Sequence, residues 1–584
     1  MSRRNRATLS AWQNRLLGEL RSLARERPHE VRLVQQHQLD ADGDATLRLR
    51  LRTADISHRP GGLELGDEEE FIVRIHPSVF LPPRAEVDHT RFLGFPHVLQ
   101  GQRLCIYLDP SREWRPSAGM AGFLSRLWDW LTDAASGAFD PSTAMYHAVG
   151  GVLHHADGTP TIVVREPVLP KRSQIAWLIP RSPHRYDLTS LTGRDGHRTP
   201  VFVLASDLPF GAASTFALFL TLLDDPHLDR AEGRASEASP QSPAFLITLL
   251  ASALRNPDGT EQYFVLAVPH PAGGPHHLLG GRLPAAIADT LRHIAKKHGT
   301  AVNLDPAIIN ADIPIEWCSM SDERQEVTTR RDDDRPVNGF QGKTVQIWGC
   351  GGLGSWIAEF IARAGAATIT VCDPGTITGG LLVRQNYTEA DIGQTKADAL
   401  AARLRAIRDD LTVTVAEGRV PDPAFSLAAD LIIDATVSHS ITTYLGAPAG
   451  EERKALIAQV ATDSRTGTLG IANICAPGAT CTPSELDDQA GRSVIADGQL
   501  ELYHPLWEEA AKSDELIPTR GCSVPTFHGS AADLAAVAAT LVNMIGLHLQ
   551  QAEAVVSGTH LIALPHATAG PRHHFLPVAS GNLP

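Results

Sequence analysis

Alternation of apolar and polar residues divides the chain into segments with different expected structures. The leucines of residues 1–26 recur at helical spacing and predict an amphipathic first helix. Apolar and polar residues alternate from 71 to 75, as in a half-buried strand. In the last third, the run TVQIW (344–348) leads into a glycine-rich turn, a helical stretch and the run ATITVC (367–372). This order predicts an α/β unit with parallel strands.

Two polar stretches without periodicity, 225–244 and 321–336, interrupt these patterns. Such stretches are typical of exposed loops and linkers. A chain of 584 residues is also too long for one hydrophobic core. We therefore expect three domains, at 1–170, 171–325 and 326–584.

Charge and cysteine content narrow the possible functions. The formal net charge of -14 argues against a nucleic-acid partner, because phosphate binding needs clustered Lys and Arg. No stretch reaches the roughly 18 uninterrupted apolar residues of a membrane span, so we expect no membrane association and a cytoplasmic location. Seven cysteines without a CxxC pair indicate neither a disulfide framework nor structural zinc.

The glycine-rich turn has the spacing of a nucleotide-binding loop. Gly349, Gly351, Gly352 and Gly354 form GxGxxG between a strand and a helix, where the backbone can approach phosphates at a helix N-terminus. Asp373 follows Gly354 by 19 residues, the usual place of a ribose-binding acid. The combination predicts a Rossmann-like nucleotide site; the alternative is a tight glycine turn without a ligand.

The residues after the acid favour ATP over NAD. Arg384, Gln385 and Lys396 are cationic or polar groups available to a polyphosphate. With the Gly-x-x-Lys run at 393–396, they make the segment resemble the ThiF/MoeB/ubiquitin-activating superfamily. The resemblance implies that Arg384 and Lys396 bind ATP phosphates while a carboxylate attacks the α-phosphate. Cationic side chains suit that reaction because negative charge accumulates on the transferred phosphate as pyrophosphate leaves.

A metal ligand is implied less directly. Asp434 ends the run DLIID and resembles the first residue of the family's Asp-x-Thr-Asp-Asn element, which helps to hold Mg²⁺. Val437 and Ser438 replace the last two residues of that element, and Leu381 replaces an Asn that the family usually has before Arg-Gln. The alternative is a buried Asp that caps the next helix.

Arg330 and Arg331 precede the glycine turn. They resemble an arginine that, in this superfamily, reaches the ATP of a neighbouring protomer, which implies a homodimer. A solvated run of charges is the alternative interpretation.

A cysteine follows the adenylating motifs. Cys522 lies in a loop before a long apolar helix, whose start is signalled by Ser530 and Asp533. A thiol near a helix N-terminus and an arginine has reason to be partly ionised, so Cys522 is the expected acyl acceptor. Cys475 and Cys481 remain an alternative thiol pair, or weak metal ligands.

The N-terminal third carries a second candidate thiol. Cys105 follows a Gly-containing turn and precedes Trp114-x-Pro, and residues 95–98 read Phe-Pro-His-Val. With the alternating strand and a Pro-Pro segment, residues 10–165 resemble the ubiquitin-conjugating fold. The resemblance implies that Cys105 is the conjugating nucleophile. His97 stands where that family has an oxyanion-steadying Asn, so it either donates to the oxyanion or is a structural turn residue.

The order of the two modules resembles bacterial fusions found with CD-NTases in CBASS anti-phage systems. The resemblance implies three parts: an N-terminal ubiquitin-conjugating-like α+β domain, a middle α/β linker and a C-terminal Rossmann-like adenylation domain. It also implies ATP and Mg²⁺ as cofactors, the C-terminus of a CD-NTase as substrate and an amine on a target as acceptor. Alternatives are a ThiF-like adenylyltransferase for a sulfur carrier and a non-catalytic nucleotide sensor. Residues 171–325 carry no chemical motif.

Overall fold

The computed structural model describes residues 8–327, 332–507 and 529–578, with internal gaps. The gaps are 41, 90, 93–94, 96, 100–102, 140–157, 168–172, 192–195, 206–214, 225–240, 270–274, 300–312, 417–427, 449, 464–465, 552–554 and 569. The chain forms two compact units, Met1–Thr329 and Arg330–Pro584, and each is described by itself.

The first part of the N-terminal unit is a six-stranded antiparallel sheet with two longer helices. The strand order is β1-β2-β3-β4-β6-β5. The elements are α1 Ala11–Glu26, β1 Val31–Leu39, β2 Ala45–Arg52, β3 Glu68–Ile75, β4 Arg84–Glu86, β5 Val98–Leu99, β6 Arg103–Leu104, α2 Pro110–Glu113 and α3 Gly119–Ser136.

Local sequence explains these elements. Ser10 begins α1 through a capping box with Gln13, and the predicted leucine face of the helix is buried in the core. In β2 the residues alternate strictly, with Ala45 and three leucines inward and the arginines outward. The outward arginines pair with Glu68 and Glu70 on β3. The predicted first helix and the strand at 71–75 are therefore confirmed.

The second part of this unit is an eight-stranded mixed sheet in the order β13-β12-β11-β10-β8-β9-β7-β14. Its edge strands β13 and β14 are consecutive in the chain, separated only by Ser319. Helices α4, α5 and α6 and strand β11 contribute residues to one hydrophobic core of this part, and every residue of β11 is buried. The elements are β7 Thr161–Val164, β8 Gln174–Ser182, β9 Arg185–Thr189, β10 His197–Val203, α4 Phe216–Leu223, α5 Ser242–Ala253, β11 Gln262–Val268, β12 His277–Leu283, α6 Ala285–His298, β13 Glu316–Cys318 and β14 Met320–Asp322.

The C-terminal unit is an α/β fold around an eight-stranded sheet, β17-β16-β15-β18-β19-β20-β21-β22. The first five strands of that order are parallel and the last three are antiparallel. The elements are β15 Thr344–Trp348, α7 Gly354–Ala364, β16 Thr368–Cys372, α8 Lys396–Ile407, β17 Thr412–Val415, β18 Leu431–Asp434, α9 His439–Gly446, β19 Leu456–Thr462, β20 Leu469–Cys475, α10 Pro483–Ala496, α11 Ala531–Gln550, β21 Gly558–Ala563 and β22 His573–Pro577.

Strand order reverses at β15, which pairs with β16 on one side and β18 on the other. In doubly wound sheets, ligands bind outside the carboxyl ends of strands at such a switch point. The expected Rossmann-like fold is confirmed, and its switch point follows the predicted strand 344–348.

Among the described residues, α11 is the one helix long and apolar enough to cross a membrane by composition. Its buried residues, including Leu534, Leu541 and Ile545, belong to the main core of the C-terminal unit. A core helix meets the same length and composition test, so α11 is accounted for by packing within the domain.

Candidate nucleotide and thiol sites

The glycine turn after β15 needs glycine at two positions for steric reasons. Gly349 has φ +88°, and a Cβ there would lie 2.7 Å from the carbonyl oxygen of Ala435. A Cβ at Gly354 would lie 1.8 Å from the carbonyl oxygen of Gly349. By contrast, a Cβ at Gly351 would meet no heavy atom within 4 Å. The turn is therefore closed on its protein side and open at Gly351, as a phosphate loop requires.

Asp373 lies directly after β16, beside this turn. Its Oδ2 accepts a hydrogen bond from the Cys350 amide at 2.7 Å, and its Oδ1 accepts one from the Gly375 amide at 2.7 Å. The carboxylate is thus held rigidly against the glycine turn, with acceptor capacity left for a further donor. Ribose binding by Asp373 stays a prediction.

Lys396, the first residue of α8, reaches the same place. A Cβ added at Gly375 would lie 2.8 Å from Asp373 Oδ1 and 3.3 Å from Lys396 Nζ, so both charged groups lie beside Gly375. The Tyr387 hydroxyl donates to the carbonyl oxygens of Cys350, at 2.7 Å, and Lys396, at 3.2 Å. These bonds hold the start of α8 to the glycine turn, and the Lys396 ammonium group therefore lies near that turn.

Arg384 and Gln385 lie in a tight turn between β16 and α8. The Gln385 amide donates to the Leu381 carbonyl at 2.9 Å, and Trp356 Nε1 donates to the Arg384 carbonyl at 3.3 Å. Gln385 is buried, and its Oε1 accepts no hydrogen bond from the described residues. A buried orphan acceptor usually marks an unseen partner. Gln385 Oε1 therefore fits a donor, such as a hydroxyl or amino group of a nucleotide, whereas the open face of Gly351 and the Lys396 ammonium fit its phosphates.

Glu359 of α7 stabilises this turn through hydrogen bonds. Sequence reasoning did not identify this residue. Its Oε2 accepts from Asn386 Nδ2 at 2.6 Å and Arg403 Nε at 2.7 Å, while Oε1 accepts from Arg363 at 2.7 Å. Burial alone would raise the pKa of Glu359, but these three donors outweigh it and lower the pKa to about 2.

Ser355 extends this network to the phosphate loop. The Asn386 amide donates to Ser355 Oγ at 3.1 Å, and Ser355 Oγ donates to the Gly351 carbonyl at 2.7 Å. A continuous chain of hydrogen bonds therefore joins the glycine turn, Glu359 and the residue that follows Arg384 and Gln385.

Asp434 ends β18 at the same edge of the sheet, opposite Trp348. Its carboxylate accepts from the amide and hydroxyl of Thr436, at 3.0 and 2.6 Å, and from Thr442 Oγ1 at 2.6 Å. The bonds tie the end of β18 to the following turn and to Thr442 of α9, but they do not cap α9, whose N-cap is Ser438. Among the described residues, no group of three or more His, Cys, Asp or Glu is arranged to hold a metal. The Mg²⁺ role of Asp434 stays a prediction.

Three expected site residues, Arg330, Arg331 and Cys522, lie outside the described residues. The structure does fix the point where the Cys522 loop rejoins the domain. Ser530 and Asp533 form the predicted capping box of α11, and the Ala531 amide donates to the Val383 carbonyl at 2.8 Å. The chain thus returns next to the turn that carries Arg384 and Gln385.

Cys105 follows β6 and is buried. Its amide donates to the His97 carbonyl at 2.8 Å, and its Sγ contacts the Tyr107 carbonyl oxygen at 3.6 Å. Burial raises the pKa of the Cys105 thiol to about 11, and the opposing charges of Arg103 and Arg126 do not compensate. A cleft borders the thiol; most of its lining is apolar, including Leu81, Pro82, Pro83 and Ile106, but Arg84 and Arg103 also line it.

The side chain of His97 is buried against an aromatic ring. Its ring packs against Phe139 with centroids 4.6 Å apart, and its backbone has φ +64°. The carbonyl, rather than the imidazole, is the group of His97 that bonds to Cys105. The geometry favours the structural turn residue over the oxyanion donor.

Cys475 and Cys481 lie in an apolar cluster with Trp348 and Cys372, which directly precede the glycine turn and Asp373. Cys475 pairs with Ile457 near the start of β19, whereas Asp434 at the nucleotide edge pairs with Gln459. Cys481 is in direct contact with Cys475. Both cysteines therefore stay alternatives to Cys522.

Three family models match the chain in the expected order. Residues 20–159 match Prokaryotic E2 family A, 194–323 match the Cap2 central linker domain, and 339–557 match the ThiF family. The chain is a fusion of E2-like and ThiF-family domains. Its linker and domain order are those of CBASS-type fusions that join ubiquitin-activating (E1) and ubiquitin-conjugating (E2) modules. Boundaries near 170 and 325 stay predictions.

Relatives of this fusion protein match it over limited lengths. It is 28% identical over 165 residues to the ATP-dependent ubiquitin transferase-like protein Cap2 of Enterobacter hormaechei, covering 27% of each chain. It is 29% identical over 127 residues to a molybdopterin-synthase adenylyltransferase of Salmonella typhimurium, covering 21% of this chain and 51% of that protein. The fusion protein thus spans about half or less of these relatives.

Among solved structures, Escherichia coli MccB with ATP matches with a TM-score of 0.30 and 15% identity, covering 42% of this chain and 67% of that one.

Proposed function

We propose that this fusion protein activates the C-terminal carboxylate of a protein with ATP and passes it, as a thioester, from Cys522 to Cys105. The observation that carries the proposal is the grouping at one sheet edge of the open glycine turn, Asp373, Gln385 and Lys396. The three matched domains, in the order E2, Cap2 linker and ThiF, support the two-thiol relay.

The first step is attack of the substrate carboxylate on the α-phosphorus, with release of pyrophosphate. The backbone of the glycine turn would receive the phosphates, and Lys396 and Arg384 would neutralise charge on the departing group. Asp373 would bind the ribose. Mg²⁺ would accompany ATP with Asp434 as its candidate ligand, but three hydrogen bonds already occupy that carboxylate, and no step depends on the metal here.

In the second step, Cys522 attacks the acyl adenylate and AMP leaves. The anchor of Ala531 on Val383 supports this step, because Cys522 precedes Ser530 by only eight positions. Eight extended residues span at most about 29 Å, so the thiol stays within reach of the turn that carries Arg384.

In the third step, Cys105 attacks the thioester and the Cys522 thiol is released. An amine of the target then attacks the Cys105 thioester, an amide forms and Cys105 is regenerated. Tethering both thiols on one chain raises their effective concentration. The cleft beside Cys105, apolar for most of its lining and with Arg84 and Arg103 in its wall, suits an extended peptide tail.

The finer assignments follow from the CBASS-type domain order. We propose the C-terminus of a CD-NTase as the activated carboxylate, a cytoplasmic setting and a homodimer in which Arg330 or Arg331 reaches the partner's ATP. These assignments are tested by replacing the CD-NTase tail and by measuring the mass of the assembly in solution.

Intact-mass analysis with ATP and a candidate carrier protein tests the relay. We expect a gain equal to the carrier minus water, reversed by thiol; Cys522→Ala should abolish it, and Cys105→Ala should leave it on Cys522. Cys481→Ser is the matched control and should retain both adducts. ATP binding without pyrophosphate release for any carrier would contradict the proposal.

The second candidate is an adenylyltransferase for a sulfur carrier, favoured by similarity of the ThiF-family region to adenylyltransferases of that kind. It predicts adenylate formation with product release that does not depend on Cys105. Full product formation by Cys105→Ala would select this function.

A further inference from the structure

Two arginines lie in the wall of the cleft beside Cys105, and the proposed relay gives them no role. Arg84 belongs to β4 and Arg103 to β6, which are neighbouring strands of the same sheet. Apart from the Cys105 thiol and the Tyr107 phenol, the other residues that line the cleft are aliphatic, and none of the described lining residues is acidic. The cleft therefore presents positive charge next to the thiol, in a chain whose formal net charge is -14.

Glu86, the acid opposite Arg103 in the sheet, is engaged elsewhere. Both of its carboxylate oxygens accept from Arg74 Nε, at 3.0 Å each. Arg84 lies opposite that same Arg74, so its cross-strand neighbour is a like charge. Within the described ranges, neither Arg84 nor Arg103 forms an ion pair or a side-chain hydrogen bond. Burial, with the like charge of Arg84, lowers the pKa of Arg103, so the two guanidinium groups favour an anion that the described residues do not supply.

An acyl chain on Cys105 would lie in this cleft, because the thiol is part of its lining. The thioester bond would fix the terminal carbonyl carbon at the sulfur, and the preceding residues would lead away from it at about 3.3–3.6 Å per residue. Leu81 and Leu108 also line the cleft and are 39% and 57% exposed, so they offer apolar contacts to such a chain. The side chains next to the arginines would then be those of the last few residues before the terminus.

We propose that Arg84 and Arg103 bind a carboxylate side chain near the end of the activated tail, so that Cys105 accepts tails with Asp or Glu there in preference to neutral tails. This inference rests on the proposed role of Cys105 as an acyl acceptor. Guanidinium groups suit a carboxylate because their parallel N–H donors match its two oxygens. The same charges repel a tail with Lys or Arg at that place, which adds to the selectivity.

Transfer from synthetic peptide thioesters tests this preference without ATP. Three peptides carry Glu at the second, third or fourth residue from the thioester, and a fourth peptide carries Gln at all three; sequence and uncharged leaving thiol are otherwise the same. The acceptor is the full chain with Cys522→Ala, and loading is measured as the adduct on the peptide that contains Cys105. We expect at least one Glu peptide to load about tenfold faster than the Gln peptide. Arg84→Gln combined with Arg103→Gln should bring that ratio close to one.

The ratio of rates is the readout because the charge of Arg103 also affects the Cys105 thiol toward every peptide. Arg112→Gln, at an exposed arginine of α2 outside the cleft lining, is the matched control and should keep the ratio. Equal loading by all four peptides when both arginines are present, or a ratio unchanged in the double variant, would overturn the acidic preference and leave the relay standing. Failure of every peptide to load Cys105 would overturn the preference together with the proposed role of that thiol. Failure of ATP activation has no effect on this assay, so the two results are distinguishable.

Discussion

Replacement of Glu359 by Gln tests whether the hydrogen-bond network behind the glycine turn holds the candidate ATP site. The substitution keeps the shape of the side chain but removes the charge that accepts donors from Asn386, Arg403 and Arg363. Lowering the pKa from 4.5 to about 2 corresponds to about 3 kcal/mol at about 1.4 kcal/mol per pKa unit. Because the folded pKa is depressed, this contribution is present above pH 4.5 and is lost as the pH falls from there toward 2.

Hydrogen exchange measured by mass spectrometry resolves this loss locally, whereas a multidomain chain has no single unfolding free energy. At pH 7, Glu359→Gln should accelerate exchange in peptides covering 354–364 and 385–387 by about 100-fold, the equivalent of about 3 kcal/mol. The affinity for ATP should fall too, since Arg384 and Gln385 directly precede Asn386. Glu389→Gln, at an exposed side chain, is the matched control and should change exchange less than about threefold. Equal exchange rates in the two variants would refute the reasoning.

Three further predictions concern single groups. Because burial raises the pKa of Cys105 to about 11, its alkylation by iodoacetamide should rise about tenfold per pH unit from 7 to 10, and Arg103→Gln should slow it; a plateau by pH 8 would contradict this. Val437 has φ +54° and is exposed, so Val437→Asn should stabilise its unit by about 1 kcal/mol, seen as a higher Tm than in Val437→Ala. Burial, with smaller effects of neighbouring histidines, lowers the pKa of His560 to about 3. The contribution of the neutral His560 to the free energy of unfolding is therefore complete above pH 6.5 and falls by about 1.4 kcal/mol per pH unit below that. The Tm of His560→Gln should depend less on pH between 6.5 and 5, and an unchanged slope would count against this.

The nucleotide site was predictable because its parts are local in sequence. The glycine turn, Asp373, Gln385 and Lys396 all fall within one strand–helix–strand unit and the segment that follows it. Their spacing alone brings them to the carboxyl edge of the sheet. The Mg²⁺ assignment was harder, because a structural Asp and a metal-binding Asp share the same position at the end of a strand. The contacts of Asp434 with Thr436 and Thr442 show its structural bonds and leave the metal role a prediction.

Glu359 was missed because Arg363, four residues later, makes it look like half of an exposed helical ion pair. The helical spacing nevertheless indicates that Glu359 is buried, because Ser355 and Ala362 lie on the same face of the helix and both are buried. The mixed sheet of the linker could not be predicted for a different reason. Strand β7 pairs with β14 across about 150 residues of sequence, and strand pairing over such distances has no local signature.

Reactivity of the thiols is the property that sequence reasoning handled least well, because burial and local donors act in opposite directions. Cys105 and Cys481 are buried to nearly the same extent, at 7% and 8% exposure, yet the pKa is raised to about 11 in one and lowered to about 6 in the other. At Cys481 the neighbouring Cys475, Ser557 and Arg453 outweigh desolvation, whereas at Cys105 desolvation outweighs the charges of Arg103 and Arg126. A thiol reagent at neutral pH should therefore modify Cys481 before Cys105, so loss of conjugation after alkylation implicates Cys105 only when it is also observed in Cys481→Ser.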